Sequence, residues 1–188
     1  MRPESIIEKY YTPGSDLHRV LTVHSRKVAD MALECAHARN LDVDMNFIEE
    51  AALLHDIGIF LCNAPDIYCT GALPYICHGV EGAKLLRSEG YPRHALVCER
   101  HTGAGLSIED IKRQHLPLPL REMLPVSTEE KIICYADKFY SKSGDIEKRK
   151  SPEEVVRSMS RHGEACLQRF MELHRMFGPV GDYISSPL

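Results

Sequence analysis

The sequence predicts an all-α, single-domain helical bundle, and three observations carry that expectation. Apolar residues recur at helical spacing along most of the 188 residues. Capping residues stand just ahead of those runs. No stretch alternates apolar and polar residues as a half-buried strand would. The length suits one domain with a sizeable core, and 44% apolar with 27% charged residues is ordinary for a globular chain.

Ser15 or Asp16 is placed to cap a long helix reaching about Asn40, with Leu17, Val20, Leu21, Val28, Met31, Ala32 and Cys35 along its apolar face. Asp44 or Asn46 opens a second helix, with Glu49 positioned for a capping box with Asn46. That helix ends at His55-Asp56, and Gly58 is a natural stop. Residues 59 to 77 read as a loop containing Pro65, Gly71 and Pro74, of a length that usually signals function. Helices follow over about Gly79 to Ser88 and about Pro92 to His101. Ser107 with Asp110 opens a short helix through Gln114, and Pro117, Pro119 and Pro125 then break the chain. Ser127 with Glu130 predicts a capping box on a helix reaching about Tyr140. Lys142 to Ser151 is polar and expected to be exposed. Ser151-Pro152 starts a short helix, and a last one spans about Gly163 to Phe177.

The formal net charge of −4 argues against a protein that coats nucleic acid, so no nucleic-acid partner is expected. No apolar run approaches the roughly 20 residues that span a bilayer, so no membrane is expected either. The N-terminal residues hold no signal-peptide core. Seven cysteines form an odd set without a CxxC pair, which suits reduced thiols in a cytoplasmic protein. Cys62, Cys69 and Cys77 share one loop, at a spacing that matches no established zinc pattern. The ten histidines are a surplus that points toward metal. His18, His37, His94, His115, His162 and His174 are read mostly as surface or interfacial residues.

The chemistry concentrates in Leu53-Leu54-His55-Asp56-Ile57-Gly58. A histidine and an aspartate side by side behind an apolar run need a reason to be there. Neighbours on a helix point about 100° apart, so both reach one ion only if it sits near the helix end. A divalent cation takes neutral imidazole and ionised carboxylate together. His24 sits among Val20, Val28 and Met31 and points toward the core. Asp137 follows Ile132-Ile133-Cys134-Tyr135-Ala136 and is expected to be buried, either on a metal or paired with Lys138 or Arg26.

In order along the chain, His24, His55-Asp56 and Asp137 resemble the HD-domain metal-dependent phosphohydrolase superfamily, in its HDIG variant. The resemblance covers residues 16 to 140 and leaves 141 to 188 as a helical extension. His78 in His-Gly-x-x-Gly-Ala and His101 in His-Thr-Gly are similar to the two-metal bacterial members that cleave dinucleoside tetraphosphates. The resemblance implies a helical bundle around a central metal site. It implies one ion on His24, His55 and Asp137, a second on His78 and His101, and Asp56 bridging. Iron or manganese is the implied metal, with zinc, cobalt and nickel also compatible.

That resemblance implies a phosphohydrolase acting by metal-activated hydroxide on a nucleotide, dinucleoside polyphosphate or other small phosphorylated metabolite. Asp56, Lys138 and Thr102 are the candidate catalytic residues. Ile59 stands where many HDIG proteins carry a lysine, so phosphate contacts fall to Lys138, Arg26, Lys27 or Arg100. Tyr68, Tyr75 and Phe60 are candidates for lining a base pocket. A mixed-valent di-iron oxygenase and a non-catalytic HD-like binding module are the alternatives. The oligomeric state is open between monomer and homodimer.

Overall fold

In the computed structural model, residues 2–179 are described, and among them helices dominate. In chain order these are α1 (Pro3–Tyr10), α2 (Asp16–Ala38), α3 (Met45–Leu54), α4 (His78–Ser88), α5 (Pro92–Arg100), α6 (Ile108–Arg113), α7 (Thr128–Asp137), α8 (Pro152–Ser160) and α9 (Glu164–Phe177). The all-α expectation holds. The loop between α3 and α4 carries three single turns and a hairpin of two-residue strands, β1 (Asn63–Ala64) and β2 (Cys69–Thr70), paired antiparallel.

The caps explain where the helices start. The side chains of Ser15, Asp44, Ser107, Ser127 and Ser151 each accept a first-turn backbone N–H. Reciprocal capping boxes form at Ser107 with Asp110 and at Ser151 with Glu154. Two expected boxes do not form. Asp44, not Asn46, caps α3, and Glu49 instead accepts from Arg26 at 2.7 Å. Glu130 turns away from Ser127 to take the Val126 N–H and the Arg100 guanidinium, a charge-assisted pairing that outweighs the box.

Two apolar clusters meet at the site. One joins α2, α3, α7, α8 and α9 through Met31, Ile48, Ile132, Tyr135, Phe139 and Phe170. The other joins α1, α4, α5 and the turn after α3 through Ile6, Leu21, Leu54, Ile57 and Leu86. In the second, Phe60 packs against the rings of Tyr10 and Tyr11, and the Tyr11 hydroxyl donates to the Ile57 carbonyl at 2.8 Å. Phe60 therefore packs, half-buried, against the core and does not line the cavity described below. His94 and His174 are also buried, against expectation. His94 packs edge-on against Phe47, and His174 Nδ1 lies 2.9 Å from the Tyr135 hydroxyl.

The His-Asp turn docks on α4 at a contact only glycine allows. A Cβ on Gly58 would lie 2.3 Å from the His78 carbonyl oxygen and 2.5 Å from the Gly82 nitrogen. The HDIG glycine is thus a packing requirement as well as a helix stop.

Candidate metal centre

The six sequence-predicted ligands converge, and all are buried. Four of them sit at helix ends: His55 just after α3, His78 at the start of α4, His101 just after α5 and Asp137 closing α7. His24 comes from the middle of α2. Asp56 follows His55 in the turn, so the neighbouring pair reaches one centre from beyond the helix, as the sequence required.

The ligand atoms form two overlapping groups. His24, His55, Asp56 and Asp137 make one, and Asp56, His78 and His101 the other, each with its atoms within 4.8 Å of one another. Asp56 is common to both. Its Oδ2 lies 3.2 Å from His24 Nε2 and 3.1 Å from His55 Nε2. Its Oδ1 lies 3.3 Å from His78 Nε2 and 3.4 Å from His101 Nε2. Asp137 Oδ1 closes the first group at 3.0 Å from His24 Nε2 and 3.4 Å from His55 Nε2.

Three of the histidines are oriented by the same device. The Nδ1 atoms of His55, His78 and His101 lie 2.6, 2.7 and 2.8 Å from the carbonyls of Ala52, Tyr75 and Cys98. A carbonyl only accepts, so each Nδ1 carries the proton in these contacts. In the neutral ring, Nε2 then keeps a bare lone pair aimed at the centre. His78 and His101 consequently point Nε2 at Nε2 across 3.1 Å. Two lone pairs at that distance repel unless a cation or a proton lies between them.

Both Asp56 oxygens and His55 Nε2 are buried without a hydrogen-bond partner. The short contacts above supply charge but not hydrogen-bonding direction. Burial raises the Asp56 carboxyl, yet facing His55 and Lys142 hold it well below the ordinary carboxylate range. Burial likewise lowers His55, but the Asp56 and Asp137 carboxylates override it and push it up to about 9. His78, where burial prevails over Asp56, falls to about 3. Clustered imidazoles, an ionised bridging carboxylate and orphaned buried donor atoms fit divalent cations. These clusters are able to hold metal.

Beside the cluster lies a cavity of about 320 Å³, reached by His78, His101 and Asp137 from within. Thr102, Lys138, Tyr75 and Lys142 line it, as do Met159, His162, Cys166 and Arg169 from α8, α9 and the turn between them. Lys138 is buried and donates to Asp137 Oδ2 at 2.6 Å and to the His101 carbonyl at 2.9 Å. It therefore positions one member of each group. Tyr75 stacks on His78 with centroids 4.6 Å apart, while Tyr68 is 55% exposed and lies outside this cavity. Arg26 and Arg100 are committed to Glu49 and Glu130, and none of Arg26, Lys27 and Arg100 lines the cavity. Cys62, Cys69 and Cys77 are free, buried and absent from both ligand groups.

Sequence reasoning missed Lys142. The segment read as exposed sends this side chain inward, where it is only 15% exposed and its Nζ lies 2.7 Å from Asp56 Oδ2. The signal was present: Lys142 follows Lys138 by four residues, which continues the inward face of α7 past its end.

The HD domain family matches residues 21–142, a span that contains all six clustered residues. The chain belongs to the HD domain family. Three curated relatives place this HD protein further. It is 32% identical over 159 residues to a tRNA (cytidine(56)-2'-O)-methyltransferase of Thermoplasma volcanium, an alignment covering 84% of this chain and 41% of the relative. It is 36% identical over 118 residues to an uncharacterized protein of Methanocaldococcus jannaschii, covering 61% of this chain and 62% of that one. It is 33% identical over 126 residues to a tRNA (cytidine(56)-2'-O)-methyltransferase of Picrophilus torridus, covering 66% and 31%. The HD protein thus spans less than two thirds of each of these relatives. No solved structure matched significantly.

These relatives overturn two expectations. The sequence pointed to a phosphohydrolase of small phosphorylated metabolites, whereas the named relatives are RNA methyltransferases. The expectation of no nucleic-acid partner loses its support on the same ground. The physical reason is that six ligands define what a centre binds, not what enters the cavity beside it. Net charge, in turn, averages over a surface and says little about one cavity mouth. The expectation of no membrane stands in a narrower form: no helix among the described residues is long and apolar enough to cross one.

Proposed function

We propose that this HD protein is a metal-dependent protein of tRNA metabolism, with two divalent ions as its cofactors and tRNA as its partner. The observation that carries the metal half is the pair of ligand groups sharing buried Asp56. In this reading His24, His55 and Asp137 hold one ion, His78 and His101 hold the other, and Asp56 bridges. Mixed nitrogen and oxygen donors suit iron or manganese and disfavour calcium. Seven free, buried thiols suit a reducing compartment, and we place the protein in the cytoplasm.

The tRNA half rests on the two named relatives. Their alignments cover 41% and 31% of those proteins, so we carry over the partner and not the methyl transfer. The cavity agrees with an RNA group as occupant. Its inner end offers Lys138 and Lys142 to a phosphate, and its outer wall offers the apolar Leu106, Leu116 and Met159. Bound ions would polarise a phosphate or ribose oxygen placed there. The chain's own residues fix that placement. Lys138 holds Asp137 and the His101 backbone together, and Thr102 lines the cavity wall.

The test is direct. Manganese-loaded protein and its Asp56→Ala variant are titrated with total tRNA and with a DNA duplex of matched length, in a filter-binding assay at fixed salt. Retention of tRNA over DNA by the loaded protein, lost in the variant, is the expected result. Equal binding of both nucleic acids, or of neither, overturns the reading.

A further inference from the structure

Lys142 sits where a cation on the bridging carboxylate would have to go. Its Nζ is 2.7 Å from Asp56 Oδ2 and 3.9 Å from Asp137 Oδ1. An ammonium and a divalent ion cannot both crowd one buried oxygen without strong repulsion. Lys142 is carried by an irregular segment that leaves α7 and returns at Lys150, whose N–H donates to the Phe139 carbonyl at 2.8 Å. Arg149 seals that far end, with its guanidinium over the Phe139 ring at 5.7 Å. Between these anchors, and among the described residues, no backbone hydrogen bond ties residues 141–147 to the helices. Gly144, at φ +69°, turns the segment at its middle.

The same side chain borders three hollows. Lys142 lines the cavity beside the ligand cluster, and it lines two further hollows on its other side. One of those is bounded by Ala64, Asp66 and Ile67, the other by Asp16, Arg19 and Tyr68. Moving this lysine therefore frees Asp56 and reshapes all three spaces.

Building on the metal reading above, we propose that Lys142 is a tethered cation that competes with the ions for Asp56, and that metal binding drives it and residues 141–147 off the centre. The segment acts as a strap. With Lys142 on Asp56 the strap is closed; with ions on Asp56 it is released. The displaced ammonium then stands at the junction of the three spaces, where it can meet an incoming phosphate. No covalent step is involved, since one cation replaces another on a carboxylate.

The experiment uses the full chain and manganese alone as the probe. Hydrogen exchange of peptides covering 141–150 is followed by mass spectrometry with and without manganese. Ion stoichiometry and affinity are measured in parallel for wild type, Lys142→Met and Lys142→Arg. In wild type, manganese should accelerate exchange in the strap several-fold. In Lys142→Met the strap should exchange fast under both conditions, and manganese should bind on the order of tenfold tighter, the effect of removing one competing charge. Lys142→Arg should behave like wild type, which separates charge from packing. Circular dichroism confirms that each variant is folded. Two ions bound with strap exchange unchanged or slowed, or Lys142→Met binding manganese no more tightly than wild type, overturns the inference and leaves the metal reading intact. Failure of both wild type and Lys142→Met to bind manganese overturns the metal reading, and this inference with it.

Discussion

Gly58 lies so close beneath the His78 carbonyl that a Cβ there would sit 2.3 Å from the oxygen. The turn that delivers His55 and Asp56 is thereby locked to the helix that delivers His78. Gly58→Ala must push the two apart. The expected cost is roughly 1–3 kcal/mol of stability, as for other overpacked sites. It should appear in urea unfolding together with loss of bound metal, because the two ligand groups separate. Wild-type stability and full metal content in this variant would contradict the packing described here.

The shared position of Asp56 predicts unequal consequences for removing ligands. His78→Ala should leave one ion, because only the second group loses a member. Asp56→Ala should leave none. Counting ions by mass spectrometry after gel filtration distinguishes the two. Chelation of the wild type should also lower its melting temperature, since ions that bind only the folded state add to its stability.

Lys138→Met tests how the centre is framed. The substitution removes a buried cationic partner of Asp137 and one of the groups that hold its carboxyl well below the ordinary range. Breaking a buried pair on one side typically costs roughly 3–5 kcal/mol, and manganese should restore part of that loss by supplying the missing positive charge. A variant whose thermal stability matches wild type without metal would rule out this role.

A pH prediction follows from Glu99, whose carboxylate is held by two guanidiniums and belongs to neither ligand group. Glu99 is buried, and Arg87 reaches it at 2.5 Å while Arg121 pairs with its other oxygen. Burial raises its carboxyl, but the two guanidiniums prevail and set it below the ordinary value. A depressed carboxylate contributes stability above its unfolded pKa of about 4.3 and loses it as pH falls through the folded pKa. Wild type should therefore lose stability on acidification below about pH 4.5, and Glu99→Gln should start lower and show a shallower acid limb. Parallel acid limbs for the two proteins would exclude the pair as a source of that dependence.

Much of the fold and most of the site were legible in the sequence, for local reasons. Ser15, Ser107 and Ser151 announce helix starts because a capping oxygen acts within three residues. His55-Asp56 is conspicuous because buried polar groups are costly. What stayed hidden depends on distant partners. Asn46 lost its capping role when Asp44 took the Phe47 N–H and Arg26 drew Glu49 aside. His94 and His174 looked like surface residues because nothing near them in sequence discloses Phe47 or Tyr135. Lys142 sits in a polar segment where its spacing of four from Lys138 is the single hint, and only the folded bundle brings Asp56 to it. The cavity was hidden for the same reason, since part of its lining comes from helices α8 and α9, which carry no motif.

Part of the cavity's lining, Met159, His162, Cys166 and Arg169, lies beyond residue 142, where the family match ends. Beside the apolar packing of α8 and α9 on the bundle, Arg169 ties them to it by donating to the carbonyls of Ala104 and Gly105 and to Asp110. All six clustered residues therefore come from the matched span, while the cavity beside them borrows part of its lining from outside it, and that part can vary without touching an ion-holding residue. A lineage could exchange residues 151–177 for another helical pair that still reaches Ala104, Gly105 and Asp110, and so reshape the cavity without altering one of the clustered ligands.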